Sequence, residues 1–179
     1  RFFHRLRKLT RELDILLIAD EIQSGLGRLG SLFASIEQGW QPDLIVIGKS
    51  LGGGLVPISA VLGPGHLMDL LDPGIESETF AGAPLGCRIG LRVLEMLDDQ
   101  LLTRAREIGE ILRQRLRHVI DPRVAQILGE GCCGVIEFRM SPRVQGPSKQ
   151  FERESQLAEQ FARAALHCGI LVHRTGPLQ

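Results

Sequence analysis

Three short, mainly apolar runs stand out from an otherwise mixed chain: 15–19 (ILLIA), 44–47 (LIVI) and 58–62 (ISAVL). Runs of this length without polar alternation predict strands buried on both faces of a mostly parallel sheet. The second and third lie close enough in sequence to pair antiparallel. Elsewhere the pattern turns helical. Phe2, Leu6, Leu9 and Leu13 recur at helical spacing among basic residues, which predicts an amphipathic surface helix at the start of the chain. A short helix is expected around 31–38 and another near 66–71. Pro84 stands at a helix start, with Leu85, Ile89, Val93 and Leu97 as its buried stripe. Leu101, Ala105, Ile108, Leu112, Leu116 and Val119 mark a further helix, broken by Asp121-Pro122. Two strands, 124–128 and 135–139, flank a turn at 129–134. A helix carrying Leu157, Phe161, Ala165 and Cys168 on one face is capped by Gly169, and 170–173 reads as a last strand. The pattern divides the chain into an α/β part over 1–97, a connecting helix over 98–122 and a smaller α+β part over 123–179.

Composition narrows the partners. The 179 residues carry 21 Lys+Arg against 21 Asp+Glu, so no basic surface argues for nucleic acid or an acidic membrane. No apolar run reaches the length of a membrane span, and the first helix lacks the continuous apolar core of a signal peptide. Cys87, Cys132, Cys133 and Cys168 have no CxxC spacing, which fits reduced thiols and a cytoplasmic setting. Adjacent Cys132 and Cys133 read as small core residues, and His66, His118 and His173 as surface or internally satisfied histidines. No metal site is expected. The chain opens on Arg1 and closes on a turn-like RTGPLQ, so it reads as a fragment of a longer protein.

Two of the apolar runs finish in a charged residue: Asp20 after ILLIA and Lys49 after LIVIG. Ligands of open α/β sheets bind outside the carboxyl ends of the strands, where both residues face one crevice. Such a pair is either a structural ion pair or a reactive one. A partly desolvated lysine loses its proton more easily and forms a Schiff base with an aldehyde. Pyridoxal phosphate needs such a lysine, and an acid beside its pyridine nitrogen. The glycine run Gly52-Gly53-Gly54 lacks dinucleotide-fingerprint spacing, and GLGRLG (25–30) lacks the GK[ST] of a P-loop. The first suits a tight turn that brings backbone close to a cofactor.

The stretches LLIADEIQSGLGRLGSLFA, PDLIVIGKSLGGGLVPISAVLG and ETFAGAPLGC, in this order, resemble the class III (omega-type) aminotransferases, a pyridoxal-phosphate family. The resemblance runs through essentially the whole chain. It implies part of the large mostly parallel-sheet domain of a fold-type I enzyme, followed by an incomplete small α+β C-terminal domain. It assigns Lys49 to the Schiff base and the later proton shift, and Asp20 to the pyridine nitrogen. Gln23 would lie near the phenolic oxygen of the ring and Thr79 on the cofactor phosphate, reaching a neighbouring subunit's site in a homodimer. Glu21 and Arg28 match the motif as loop supports. The implied reaction is ping-pong transfer of an amino group from an amine or amino acid to a keto acid. Glu78 and Ala83 replace a small hydroxyl residue and an asparagine of the family pattern, and Ser24 a common threonine. The upstream phosphate loop, a ring-stacking aromatic and a downstream carboxylate-binding arginine would lie outside these 179 residues. An aminomutase or decarboxylase on the same scaffold, or a non-catalytic remnant, are the alternatives.

Overall fold

The computed structural model describes residues 2–72, 74, 79–138 and 147–173, the side chains of 147–153 excepted. In chain order the elements are α1 (Phe2–Glu12), β1 (Ile18–Asp20), α2 (Ala34–Glu37), β2 (Leu44–Ile47), a 3₁₀ turn (Lys49–Gly52) and β3 (Ala60–Leu62). Next come α3 (Gly65–Met68), α4 (Pro84–Met96), α5 (Asp99–Val119), β4 (Ala125–Glu130), β5 (Cys133–Phe138) and α6 (Pro147–His167). The described residues of Arg1–Glu110 with Glu130–Cys133 form one compact unit, and those of Ile111–Gly129 with Gly134–Gln179 a second.

The first unit is built on a three-stranded sheet in the order β1-β2-β3. β1 runs parallel to β2, with Ile18 opposite Leu44, Ala19 opposite Ile45 and Asp20 opposite Val46. β3 returns antiparallel, Val46 facing Val61, as the short connection predicts. A single carboxylate sets the register at the start of the parallel pair. Asp43 accepts the Leu17 N–H at 2.8 Å and is gripped by both terminal nitrogens of Arg7 from α1, at 2.5 and 2.6 Å. The forked guanidinium matches the two carboxylate oxygens and adds charge to the bonds.

That grip, more than the apolar stripe, docks α1. Thr10 is buried and Leu6 half-buried, while Phe2, Leu9 and Leu13 are exposed, so the face read from Phe2, Leu6, Leu9 and Leu13 is not the one that packs. Phe3 instead stacks on Trp40, with centroids 4.8 Å apart. The helix ends in a Schellman arrangement: Ile15 N–H reaches the Thr10 carbonyl and Asp14 takes a left-handed φ of 54°. The first strand is correspondingly shorter than expected. It begins only at Ile18, and Ile15, Leu16 and Ile18 are about half exposed while Ala19 is buried. β1 is thus covered on one face among the described residues, where two-sided burial was expected.

Hydrogen bonding by Arg7 holds the Asp43 carboxyl below its ordinary range, helped by the Leu17 N–H and offset in part by burial. A depressed pKa stabilises the fold above the unfolded value near 4 and loses that contribution as pH falls through the folded value. Arg7→Met is therefore expected to lower the unfolding temperature at pH 7, with the gap to the parent closing below about pH 4. Melting curves of the full gene product at both pH values check this. A gap independent of pH would remove the pair from the account.

The core lies under the carboxyl end of the sheet. Leu26, Ile47 and Leu51 are buried together, with Phe33, Ile45, Ile58, Ala60 and Leu97 packed around them. Leu51, in the 3₁₀ turn, rests on α4 at Gly90, where a Cβ would stand 3.5 Å from its Cδ1. Pro84 opens α4 as predicted, but Leu85 is exposed and Ile89, Val93 and Leu97 are only half-buried. In α5 the predicted stripe is likewise open: Leu101, Ile108, Leu112 and Val119 are exposed. The buried position is Gly109, where a Cβ would overlap the Gly131 carbonyl. Gly131 in turn lies against Arg28 and Leu29, and the Cys132 N–H donates to the Arg28 carbonyl at 2.8 Å. Three backbone segments meet there, at a separation that side chains would prevent. Cys132 is exposed and Cys133 half-buried, so they are not the core pair expected. The Cys132 thiol lies 3.3 Å from the Ala105 carbonyl, at a site where backbone, not side chains, packs. All four cysteines are free, and His66, His118 and His173 are exposed as expected.

In the second unit β4 and β5 form a two-stranded hairpin, with Ala125 buried and Gln126 paired with Glu137 across it. Phe138 meets Phe161 of α6 edge to face at 5.8 Å. Gly169, at φ 78°, closes α6 with Ile170 N–H on the Ala165 carbonyl. The strand expected over 170–173 does not form, because no described segment pairs with it. No described helix is long and apolar enough to cross a membrane.

Candidate active site

The carboxyl ends of β1 and β2 are adjacent, and both lead into tight, hydrogen-bonded turns. Asp20 closes β1 beside Val46, three residues ahead of Lys49. Its side chain is exposed, and Oδ1 accepts the Ile22 N–H at 3.1 Å in an Asx turn. The chain then doubles back. Glu21 N–H donates to the Val46 carbonyl at 2.9 Å, and Gly25 N–H to the Glu21 carbonyl at 3.0 Å. Leu26 drops from this loop into the core, which leaves Gln23 exposed at its crest.

Lys49 follows the buried Ile47 and Gly48 and opens the 3₁₀ turn. Its φ is 38°, in the left-handed region that costs a non-glycine residue on the order of 1 kcal/mol. Leu51 two residues on is locked in the core, and the Leu51 N–H bonds the Gly48 carbonyl at 2.9 Å, so packing imposes the conformation. Gly53 and Gly54 complete the turn with φ of 60° and 75°. A Cβ at Gly54 would meet nothing, so the loop leaves open space beside the lysine's turn. Lys49 Nζ donates to Gln23 Oε1 at 3.2 Å, which joins the two strand ends side chain to side chain. Lys49 is exposed, not desolvated as the sequence reading expected, because the described residues around it leave it open to solvent.

Thr79 lies in an exposed turn ahead of α4, and its hydroxyl makes no hydrogen bond to Asp20, Gln23 or Lys49. It does not cap α4 either, whose N-cap is Ala83 with no side-chain bond. Glu78 lies outside the described residues. Sequence reasoning assigned Glu21 only loop support, and Ser24 no role. The structure buries Glu21 at 3% exposure with three donors on its carboxylate, one of them the Ser24 hydroxyl. A charged residue behind a strand-end aspartate was the available signal. No group of three or more metal-ligating side chains occurs among the described residues.

The donor set suits pyridoxal phosphate. An open amine on an exposed lysine can reach an aldehyde. A carboxylate with one oxygen already oriented by Ile22 keeps its other oxygen without a partner among the described residues. An amide beside the amine, and a left-handed glycine turn with room above it, complete the arrangement.

The α/β fold matches that of the pyridoxal-phosphate fold-type I aminotransferases. The profile of the class-III aminotransferases matches residues 1–179, and the chain belongs to that family, whose cofactor is pyridoxal phosphate. It is 41% identical over 143 residues to ornithine aminotransferase of Staphylococcus carnosus, covering 79% of this chain and 36% of that protein. Against ornithine aminotransferase 1 of Staphylococcus saprophyticus the identity is 40% over 141 residues, covering 78% and 36%. The chain thus spans little more than a third of these curated relatives. Among solved structures, ornithine aminotransferase of Toxoplasma gondii superposes with a TM-score of 0.79 at 35% identity, covering 96% of this chain and 38% of that one. Acetylornithine aminotransferase of Elizabethkingia anophelis gives 0.79 at 30%, covering 97% and 41%.

Proposed function

We propose that this chain supplies the lysine half of a pyridoxal-phosphate aminotransferase site, and that the gene's full product moves an amino group from an amine donor to a keto acid. The observation that carries the reading is Lys49 Nζ against Gln23 Oε1 at the end of the parallel strand pair, with Asp20 on the neighbouring strand end. The cofactor, when bound, supplies an aldehyde and a ring that withdraws electrons from the substrate carbon. The protein's residues do the rest. Lys49 would hold the cofactor's aldehyde through Nζ, and its amine, when free, would serve as the base that carries a proton to and from the substrate carbon. Asp20 keeps a proton on the pyridine nitrogen. Gln23 orients Nζ. Thr79 serves the cofactor phosphate, in this reading, across a homodimer interface.

The names of the relatives favour a diamino acid donor such as ornithine. Residues 1–97 would then be the second half of the cofactor domain, 98–122 its connecting helix and 123–179 part of the small domain, in a cytoplasmic enzyme. Mixing the loaded full gene product with ornithine in the absence of any keto acid tests the reaction class. One carbonyl product per site should form, and acid release should yield pyridoxamine phosphate. Carbon dioxide, or an isomerised amine with the cofactor unchanged, would instead place the protein among decarboxylases or mutases.

A further inference from the structure

Glu21 is the one buried acidic residue of the core region, and among the described residues no cation pairs with it. A carboxylate in that position must be held by neutral donors, or it costs several kcal/mol to bury. Three serve it. Ser35 N–H donates to Oε1 at 2.7 Å, Ala34 N–H to Oε2 at 3.0 Å and the Ser24 hydroxyl to Oε2 at 2.9 Å. The two backbone donors belong to the first turn of α2, and they explain the burial as a capping arrangement. The third bond has a different consequence. It fastens residue 24, the neighbour of Gln23, to an anchor that is itself pinned to β2 through the Val46 carbonyl. Gln23 has no described hydrogen bond other than the one to Lys49, so its place depends on the backbone on either side of it. On the Asp20 side the Asx turn fixes Ile22, and on the other side the Ser24–Glu21 bond and the Gly25 N–H act next to Gln23, ahead of the buried Leu26.

We propose that Ser24 and Glu21 form a positioning pair that sets Gln23 against Lys49 and thereby prepares the site for pyridoxal phosphate. The proposal rests on the functional reading above and adds two residues to it. Neither touches the reacting atoms. They act through Gln23.

The test uses the full gene product, stripped of cofactor, with pyridoxal phosphate as the probe. Its affinity is measured by titrating the visible absorbance, and unfolding of the cofactor-free protein is followed in parallel. Ser24→Ala removes the loop bond but leaves both capping bonds to α2. It is expected to weaken pyridoxal phosphate about tenfold, the worth of one well-placed hydrogen bond, and to lower the cofactor-free melting temperature less than Glu21→Gln does, because two of the three carboxylate bonds remain. Ser24→Thr keeps the hydroxyl and should restore the parent affinity. Gln23→Ala should cost a similar factor, and the double variant Gln23→Ala/Ser24→Ala no more than either alone, because the second residue acts through the first. Glu21→Gln, which also disturbs the cap, should lower both affinity and melting temperature. Parent-like affinity in Ser24→Ala, or losses in the double variant that multiply, would overturn the positioning role. A parent protein that fails to bind pyridoxal phosphate at all would instead overturn the functional reading on which it rests.

Discussion

Lys49→Ala in the full gene product is expected to cut amino transfer by at least about 10⁴-fold, because one substitution removes both the group that holds the cofactor aldehyde and the base that moves the substrate proton. The visible absorbance of the lysine-bound cofactor should vanish with it, although cofactor should still associate through its other contacts. Lys49→Arg separates charge from chemistry. Arginine keeps a cation near Gln23 but stays protonated and cannot serve as nucleophile or base, so it should be as inactive as alanine. Stability works in the opposite direction. Lys49 sits at a φ of 38° and is exposed, so its replacement should not unfold the protein, and Lys49→Gly should raise the melting temperature by relieving the backbone. A lysine variant that retains turnover would show that the amine is misassigned.

Asp20→Asn should be slower by about 10³-fold with substrate affinity changed far less, since in the proposed reading the carboxylate keeps the pyridine nitrogen protonated, and that proton matters most as negative charge builds up when the substrate carbon loses its own. Asparagine can still accept the Ile22 N–H, so the Asx turn survives and the loop to Gln23 keeps its course. The contrast with Asp20→Ala is informative. Alanine loses the turn as well as the charge and should add a loss of cofactor affinity to the loss in rate. The measurement is kcat and KM for both variants beside a cofactor titration. An Asp20→Asn enzyme with parent kcat would mean that another acid faces the pyridine nitrogen.

The strand ends and turns that carry Asp20 and Lys49 were legible in the sequence, and the reason is local. A strand ending in Asp20, a second ending one glycine before Lys49, and a glycine run after it are sequence-adjacent features whose geometry follows from strand termination and turn chemistry. The pairing of 58–62 with the second strand, Pro84 as a helix start and Gly169 as a helix end were legible for the same reason. What failed was the extent of burial on several faces. The stripes of α4 and α5 were read as buried from periodicity, which reports a helix's own pattern and not whether a partner packs on it. The strand over 170–173 failed likewise, because an apolar run needs a neighbour to pair with.

The sequence by itself therefore determined the order of elements, the two strand ends that carry Asp20 and Lys49, and the family to which they belong. The tertiary structure alone decided that Arg7 and Asp43 fasten the start of the sheet, that Gly109, Gly131 and the Arg28–Leu29 backbone meet, and that Gln23 reaches Lys49 from a loop tied down by Glu21 and Ser24. Each of these joins residues on different elements or across a folded loop. Their energies exist only once the chain has brought the groups together, so no local pattern along the sequence records them.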